Sequence, residues 1–305
     1  VPTVLNASDI GQLEVLLTSW RIHLEAGNRS PATVKSYFWA ANGLIAFLKA
    51  AGMPTEASAI RREHIEAAIV DTLKRRSSST AATKFRGLQQ LFLWLTEEGE
   101  IADNPMARMK PPKIDEKPVP VITTEALKKL FATCSGQTFV DRRDTAVFRM
   151  LLGSGLRAAE ITALSLGDID LARREVMVMG KGRRVREVKL TPKTVKALDR
   201  YLRSRARHPS AEIPALWLGT KGPLTASGIT QLLRRRCRQA GIPLLHPHQF
   251  RHTFAHLWMS AGQSEHDLAK LAGWNSLQMV GRYASSAAVD RAKEAHSRLN
   301  PGDDI

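Results

Sequence analysis

The sequence predicts a mostly α-helical protein with a small antiparallel β-sheet, divided into an N-terminal helical bundle and a C-terminal α+β domain. Three observations carry that expectation. Apolar residues recur at the helical period through the early part of the chain, a proline-rich stretch interrupts it, and one β-rich segment with a glycine-bracketed centre stands among later helical patterns. At 305 residues, 43% hydrophobic and 24% charged, the chain is long enough to bury two cores.

Ser30 and Pro31 read as an N-cap and first-turn pair, after which Val34, Tyr37, Phe38, Ala41, Leu44, Ile45 and Leu48 form one apolar stripe as far as Gly52. Similar stripes run through 9–25 (Leu13, Leu16, Leu17, Trp20, Leu24), 61–75 (Ile65, Ala68, Ile69, Leu73) and 80–97 (Phe85, Leu88, Leu91, Phe92, Leu95). Residues 1–103 are therefore expected to bury these faces against one another. From 104 to 120 the text becomes NPMARMKPPKIDEKPVP, aperiodic and rich in proline and lysine, as an exposed linker would be. It suits either a clamp that lets two basic domains close around a duplex or a plain tether. Residues 121–305 form the second domain. Thr124–Cys134 and Arg142–Leu152 read as helices, and GSGLR opens another that runs to about Leu164. EVMVMGKGRRVREVKL, Glu175 to Leu190, reads as a hairpin with a basic tip. Helices return from Pro192, with breaks near Pro209–Pro214, Gly241–Pro243 and Gly273.

Lysine and arginine number 45 against 29 acidic residues, a net charge of +16 that attracts a polyanion. Nucleic acid is the favoured partner over a membrane surface because the basic clusters are spread along the chain. Cys134 and Cys237 stand far apart without metal-ligand spacing, which argues against a disulfide framework or a zinc site. No stretch approaches the ~20 apolar residues of a membrane span, and no secretory leader pattern is present, so a soluble intracellular protein is expected.

Four segments could carry chemistry. GSGLRAAEI sets Arg157 and Glu160 on one helix face near its N-terminus, and HPHQFRHTFAH gives His248 and Arg251 the same spacing. The hairpin tip presents Lys181, and AGWNSLQMVGRYASS holds Trp274 and Tyr283. Each has an ordinary alternative: a surface ion pair, a solvated turn lysine, a packing histidine, a core aromatic. Together they suit one reaction. Two guanidiniums can hold a phosphodiester through forked hydrogen bonds while an oxygen nucleophile attacks it. A tyrosine hydroxyl, with pKa about 10, needs its proton accepted, and the leaving oxygen needs one donated. His248 and Lys181 fit those needs, and the Trp274 indole can donate to the phosphate or pack to position the tyrosine.

The order Arg…Lys…His-x-x-Arg…Trp…Tyr resembles the tyrosine recombinase, or phage integrase, family, most closely its XerC/XerD-like members. The motifs span Gly153 to Tyr283, and the helical N-terminal part with its proline-rich linker is similar to that family's SAM-like core-binding domain. The resemblance implies Arg157 and Arg251 as phosphate clamps, Lys181 as general acid, His248 as acid/base, Tyr283 as nucleophile and Glu160 as the supporting acid. Trp274 stands where many members carry histidine and Cre-type enzymes carry tryptophan. His246 and His252 have the wrong spacing to Arg251 and read as structural or DNA-facing. The implied activity is cleavage and rejoining of double-stranded DNA at recombination sites through a 3′-phosphotyrosyl intermediate and Holliday-junction exchange, with neither metal nor other cofactor. Implied partners are the two DNA sites and three further copies in a homotetramer, docked through a helix at Ala287–Leu299, in the cytoplasm on the nucleoid. DNA contacts are expected from Lys84 and Arg86, Arg183, and Arg234 and Arg235. A chain that opens directly on the bundle is expected to work without an arm-binding module. Two rivals remain: a type IB topoisomerase-like enzyme, and a binding module that keeps the fold without catalysis.

Overall fold

A computed structural model describes residues 11–114, 120–180, 185–220, 222–274, 280–281 and 296. The chain divides into two compact units, Val1–Lys117 and Pro118–Ile305.

Among the described residues the first unit holds α1 (Leu13–Ala26), α2 (Pro31–Ala50), α3 (Arg62–Arg75) and α4 (Ser78–Glu97). Ser30 and Ser77 cap α2 and α4, each side chain accepting from the amide three residues on at 3.2 Å, which satisfies a first-turn donor. The apolar stripes meet in one core around Trp20, Leu44, Phe85 and Leu91, where the Trp20 and Phe38 rings stack at 5.5 Å.

Two expectations change here. Met106 is buried and Met109 packs against the same core, so the first part of the proline-rich stretch is not an exposed linker. The Asn104 side chain accepts from the Met106 amide at 2.8 Å, forming a turn that lets the flexible thioethers cover the bundle. Lys84, expected at DNA, is buried as well. Its ammonium donates to Thr72 Oγ1 at 3.2 Å and the Gly43 carbonyl at 3.3 Å, and desolvation lowers its pKa, opposed by Asp71 and reinforced by Arg75. The reason is helical phase: Lys84 precedes Leu88 by four positions and Leu91 by seven, so it shares their inward face. Arg86 is exposed and bonds Thr83 Oγ1 at 3.3 Å.

In the second unit α5 (Thr124–Ala132), α6 (Phe139–Ser154) and α7 (Ala158–Thr162) lead into an antiparallel sheet of β1 (Ile169–Asp170), β2 (Glu175–Met179) and β3 (Val185–Lys189), in that order across the sheet. Then come α8 (Pro192–Arg205), α9 (Ala226–Ala240), α10 (Pro247–Ser260) and α11 (Glu265–Ala272). Strand β2 alternates as a half-buried strand must, with Val176 and Val178 inward and Met177 and Met179 exposed, and Val176 lies opposite Val188. The short β1, with Ile169 opposite Val176, is a strand the sequence pattern did not reveal.

Helix α6 is the central element. Phe139 meets Tyr201 of α8 at 5.8 Å, and Phe148 stacks on Phe250 of α10 at 6.2 Å. Its Asp144, fully buried, accepts from Arg143 at 2.8 Å and from Arg235 and Arg236 at 2.7 Å, and Arg236 also reaches Asp141 at 2.8 Å. Arg236 is thus a core residue tying α9 to α6, and Arg235, expected at DNA, is engaged by Asp144 although half its side chain is exposed. Arg234 is exposed. Both cysteines are buried thiols whose pKa values burial raises. Among the described residues no helix is long and apolar enough to cross a membrane.

Candidate active site

The site is assembled where α6 ends. Gly155 closes that helix in the left-handed region at φ 62°, and a Cβ there would lie 2.4 Å from Phe254 Cδ1, so both backbone and space require glycine. The turn presents the Gly155 carbonyl to Arg251 of α10, whose Nη1 donates to it at 2.7 Å. Nη2 of the same guanidinium donates to the Ala272 carbonyl at 2.6 Å. Arg251, only 2% exposed, is therefore held by carbonyls at the C-terminal ends of α6 and α11, where the helix dipoles favour a cation. The buried Trp274 ring completes its setting, with the guanidinium carbon 4.9 Å from the ring centre.

Two residues beyond Gly155, Arg157 sits at the N-cap of α7. Its backbone amide donates to Glu160 Oε2 at 2.9 Å and its Nη1 to Oε1 at 3.0 Å. The other claim on Glu160 comes from the sheet: Arg186 of β3 donates from Nη2 to Oε2 at 2.9 Å and from Nε to the Leu271 carbonyl at 3.1 Å. Gly273, at φ 63°, leaves room for that guanidinium, since a Cβ would come within 3.0 Å of it. Burial pushes the Glu160 carboxyl upward, but the hydrogen bonds and charges of Arg186 and Arg157 hold it below the ordinary carboxylate value. The side chain of Arg157 keeps 37% of its surface exposed, so part of its fork is open to a ligand.

His248 lies exposed on the first turn of α10, one turn before Arg251. Desolvation and the charges of Arg251 and Arg157 lower its pKa, which keeps the ring neutral at pH 7 and able to accept a proton. His252, half-buried with its ring 5.2 Å from that of His248, is depressed to about 4 by desolvation, His248 and Arg251. Two guanidiniums beside a neutral imidazole can bind a phosphate and move a proton at its edge. Among the described residues no cluster of His, Cys, Asp or Glu could hold a metal ion.

Arg157, Glu160, His248, Arg251 and Trp274 are thus gathered at one place. Lys181, Arg183 and Tyr283, and the helix expected at Ala287–Leu299, lie outside the described residues except for the isolated position 296. Sequence reasoning missed Arg186. A signal existed: it stands two residues before the buried Val188, on the inward side of β3, where a charge needs a partner.

The family profile described as the phage integrase family matches residues 120–289. A tyrosine recombinase XerC of Oceanobacillus iheyensis is 31% identical over 303 residues, covering 96% of this chain and 98% of its own. The chain belongs to the phage integrase family. Another XerC, from Neisseria meningitidis serogroup C, is 32% identical over 288 residues, 90% of this chain and 93% of its own. Among solved structures, the Tn1549 transposon integrase in complex with a circular intermediate DNA superposes at TM-score 0.74 with 19% identity, covering 95% of this chain and 99% of that one. XerH bound to palindromic difH superposes at 0.73 with 17% identity, covering 88% and 80%. As a phage integrase family member with these relatives, the chain is a site-specific tyrosine recombinase, mostly helical with a small antiparallel sheet.

Proposed function

We propose that this recombinase cleaves DNA at the site built around Arg157 and Arg251, with Tyr283 as nucleophile. The observation that carries the reading is the convergence of Arg157, Arg251 and His248, close enough that both arginine charges act on the imidazole. Arg251, anchored by two carbonyls, and Arg157, oriented by Glu160, bind the non-bridging oxygens of the scissile phosphate. The Tyr283 oxygen attacks phosphorus, and neutral His248 accepts its proton. A 3′-phosphotyrosyl bond forms as the bond to the 5′ oxygen breaks, and Lys181 supplies that oxygen with a proton. Trp274 acts by packing on Arg251. The 5′-hydroxyl of a partner strand then attacks the phosphotyrosine, releasing Tyr283. The phosphate bond energy is conserved throughout, so strand exchange through a Holliday junction needs no nucleotide. Four copies on two DNA sites, joined through the segment 287–299, would hold the exchanging strands together at the nucleoid.

Tyr283→Phe tests the assignment. It should bind site-containing DNA normally yet form no covalent adduct on a nicked suicide substrate; an adduct that survives removes Tyr283 as nucleophile. Recombination of paired sites, as opposed to supercoil relaxation alone, separates this reading from a topoisomerase.

A further inference from the structure

A second basic feature of the catalytic unit lies apart from this site. Lys193, Lys196, Arg200, Arg203 and Arg207 succeed one another at alternating intervals of three and four residues along α8 and the turn that follows it. At about 100° per residue they fall within about 80° of one another round the helix axis. At about 1.5 Å per residue the stripe is about 20 Å long. All five are exposed. Arg142 and Arg149 of α6 face them across a groove of about 750 Å³, and the Arg149 guanidinium is fixed 4.1 Å from the Phe131 ring centre. Among the described residues only Arg203 of the seven has a carboxylate partner, Asp199 at 2.6 Å.

The groove and the active site lie on different sides of α6. That helix packs on α10, which carries His248 and Arg251, through Phe148 and Phe250, and on α8 through Phe139 and Tyr201 and through the Thr194 hydroxyl bonded to the Arg149 carbonyl at 3.3 Å. The lining also points to the kind of partner. Protein interfaces are anchored by aromatic and large apolar side chains at their centre, whereas this groove sets flexible cations around small or polar residues, Cys134, Ser135, Gln137, Thr145 and Ala197 among them, and has no aromatic among the described residues of its lining. A row of evenly spaced charges on long side chains, of which only Arg203 has a carboxylate partner among the described residues, matches a phosphate backbone.

We infer that the α6–α8 groove is a second nucleic-acid site, which takes the backbone of a duplex segment other than the one being cut. The inference rests on the recombinase reading for its choice of partner, since a DNA-exchanging enzyme meets two duplexes. The site asks nothing of base sequence, as lysine and arginine contacts to phosphate position a duplex without reading it.

The test is duplex capture. Full-length protein is loaded on an immobilised duplex carrying its recombination site, and a labelled duplex lacking that site is added at rising salt. Wild type should retain the label. The combined variant Lys196→Glu, Arg200→Glu, Arg207→Glu should lose it, with the slope of log affinity against log salt for the second duplex falling by about 3, at ~0.9 per phosphate contact. The glutamine version of the same three positions should fall between. Covalent adduct formation on the immobilised duplex should match wild type in both, which also shows that the unit is folded. Undiminished capture by the glutamate variant overturns the inference, as does parallel loss of adduct, which would place the stripe in the primary DNA contact. Polyglutamate that displaces the label as well as unlabelled duplex does at equal charge would reassign the groove to an acidic protein. Failure of wild type to form any adduct would instead count against the recombinase reading, so the two failures are told apart.

Discussion

Glu160 is the point at which the sheet, α7 and Arg157 meet, and its removal should be felt in both stability and cleavage. Arg186, whose side chain is 15% exposed, loses a charge-assisted bond of about 1.5–3 kcal/mol and is left without its carboxylate. The Arg157 side-chain bond is 37% exposed and is discounted to at most about 1 kcal/mol for solvent screening. The Glu160 oxygen that accepts from the Arg157 amide completes an N-terminal cap for α7, a contribution of about 1 kcal/mol. Glu160→Ala should therefore destabilise this region by about 2.5–5 kcal/mol. Amide hydrogen exchange followed by mass spectrometry should show faster opening of peptides spanning α7 and β3, and the covalent adduct should form more slowly because Arg157 is no longer oriented. Glu160→Gln should fall between, since it keeps an acceptor but not the charge. The folded carboxyl lies below the ~4.3 of an unfolded glutamate, so its stabilising effect is complete above that value and is lost as pH falls through the lower folded pKa. The difference between wild type and Glu160→Gln should shrink in the same acid window. Wild-type exchange and adduct rates in Glu160→Ala would refute the reasoning.

Other outcomes follow from the same geometry. Imidazole NMR should find His252 neutral down to about 4. Because an unfolded histidine titrates near ~6.5, His252 then costs stability progressively as pH falls from there toward the folded value, and an ordinary titration would contradict its burial beside His248. Gly155→Ala should destabilise the catalytic unit by more than about 2 kcal/mol, combining left-handed strain with the Phe254 clash, and should slow cleavage by moving the carbonyl that holds Arg251. Thermal unfolding and adduct assays check both effects. In the first unit, Arg86→Ala should lower the salt slope of DNA binding by about 1, while Lys84→Met should leave it unchanged. A slope change for Lys84→Met would mean that the lysine leaves its buried position. Deleting residues after Ser286 should abolish cooperative pairing of two sites in a gel-shift assay while sparing binding to one; unchanged pairing would dismiss the docking role of that segment.

Periodicity and punctuation made most elements legible. Ser30 and Pro31 announce α2, the alternation of Val176 and Val178 announces β2, and Gly155 and Gly273 mark turns that glycine alone accommodates. The grouping of the candidate site was legible too, because Arg157, Glu160, His248 and Arg251 fall at helical spacings and come together in the fold. Charge was where linear reading failed. Lys84 and Arg235 were expected together at DNA, yet Lys84 lies in the bundle core and Arg235 is paired with Asp144, in a network that also takes in Arg236 and Asp141. A basic residue in a sequence carries no mark of the partner that will neutralise it, and these carboxylates lie some ninety positions away. Arg186 shows the converse, an apparently ordinary strand residue that folding places against Glu160 and the Leu271 carbonyl. The sequence by itself thus determined which elements form and which side chains can handle a phosphate, since both follow from local pattern and residue chemistry. The tertiary structure decided which cations face solvent and which are consumed in the core, because burial and ion pairing join residues that the chain keeps far apart.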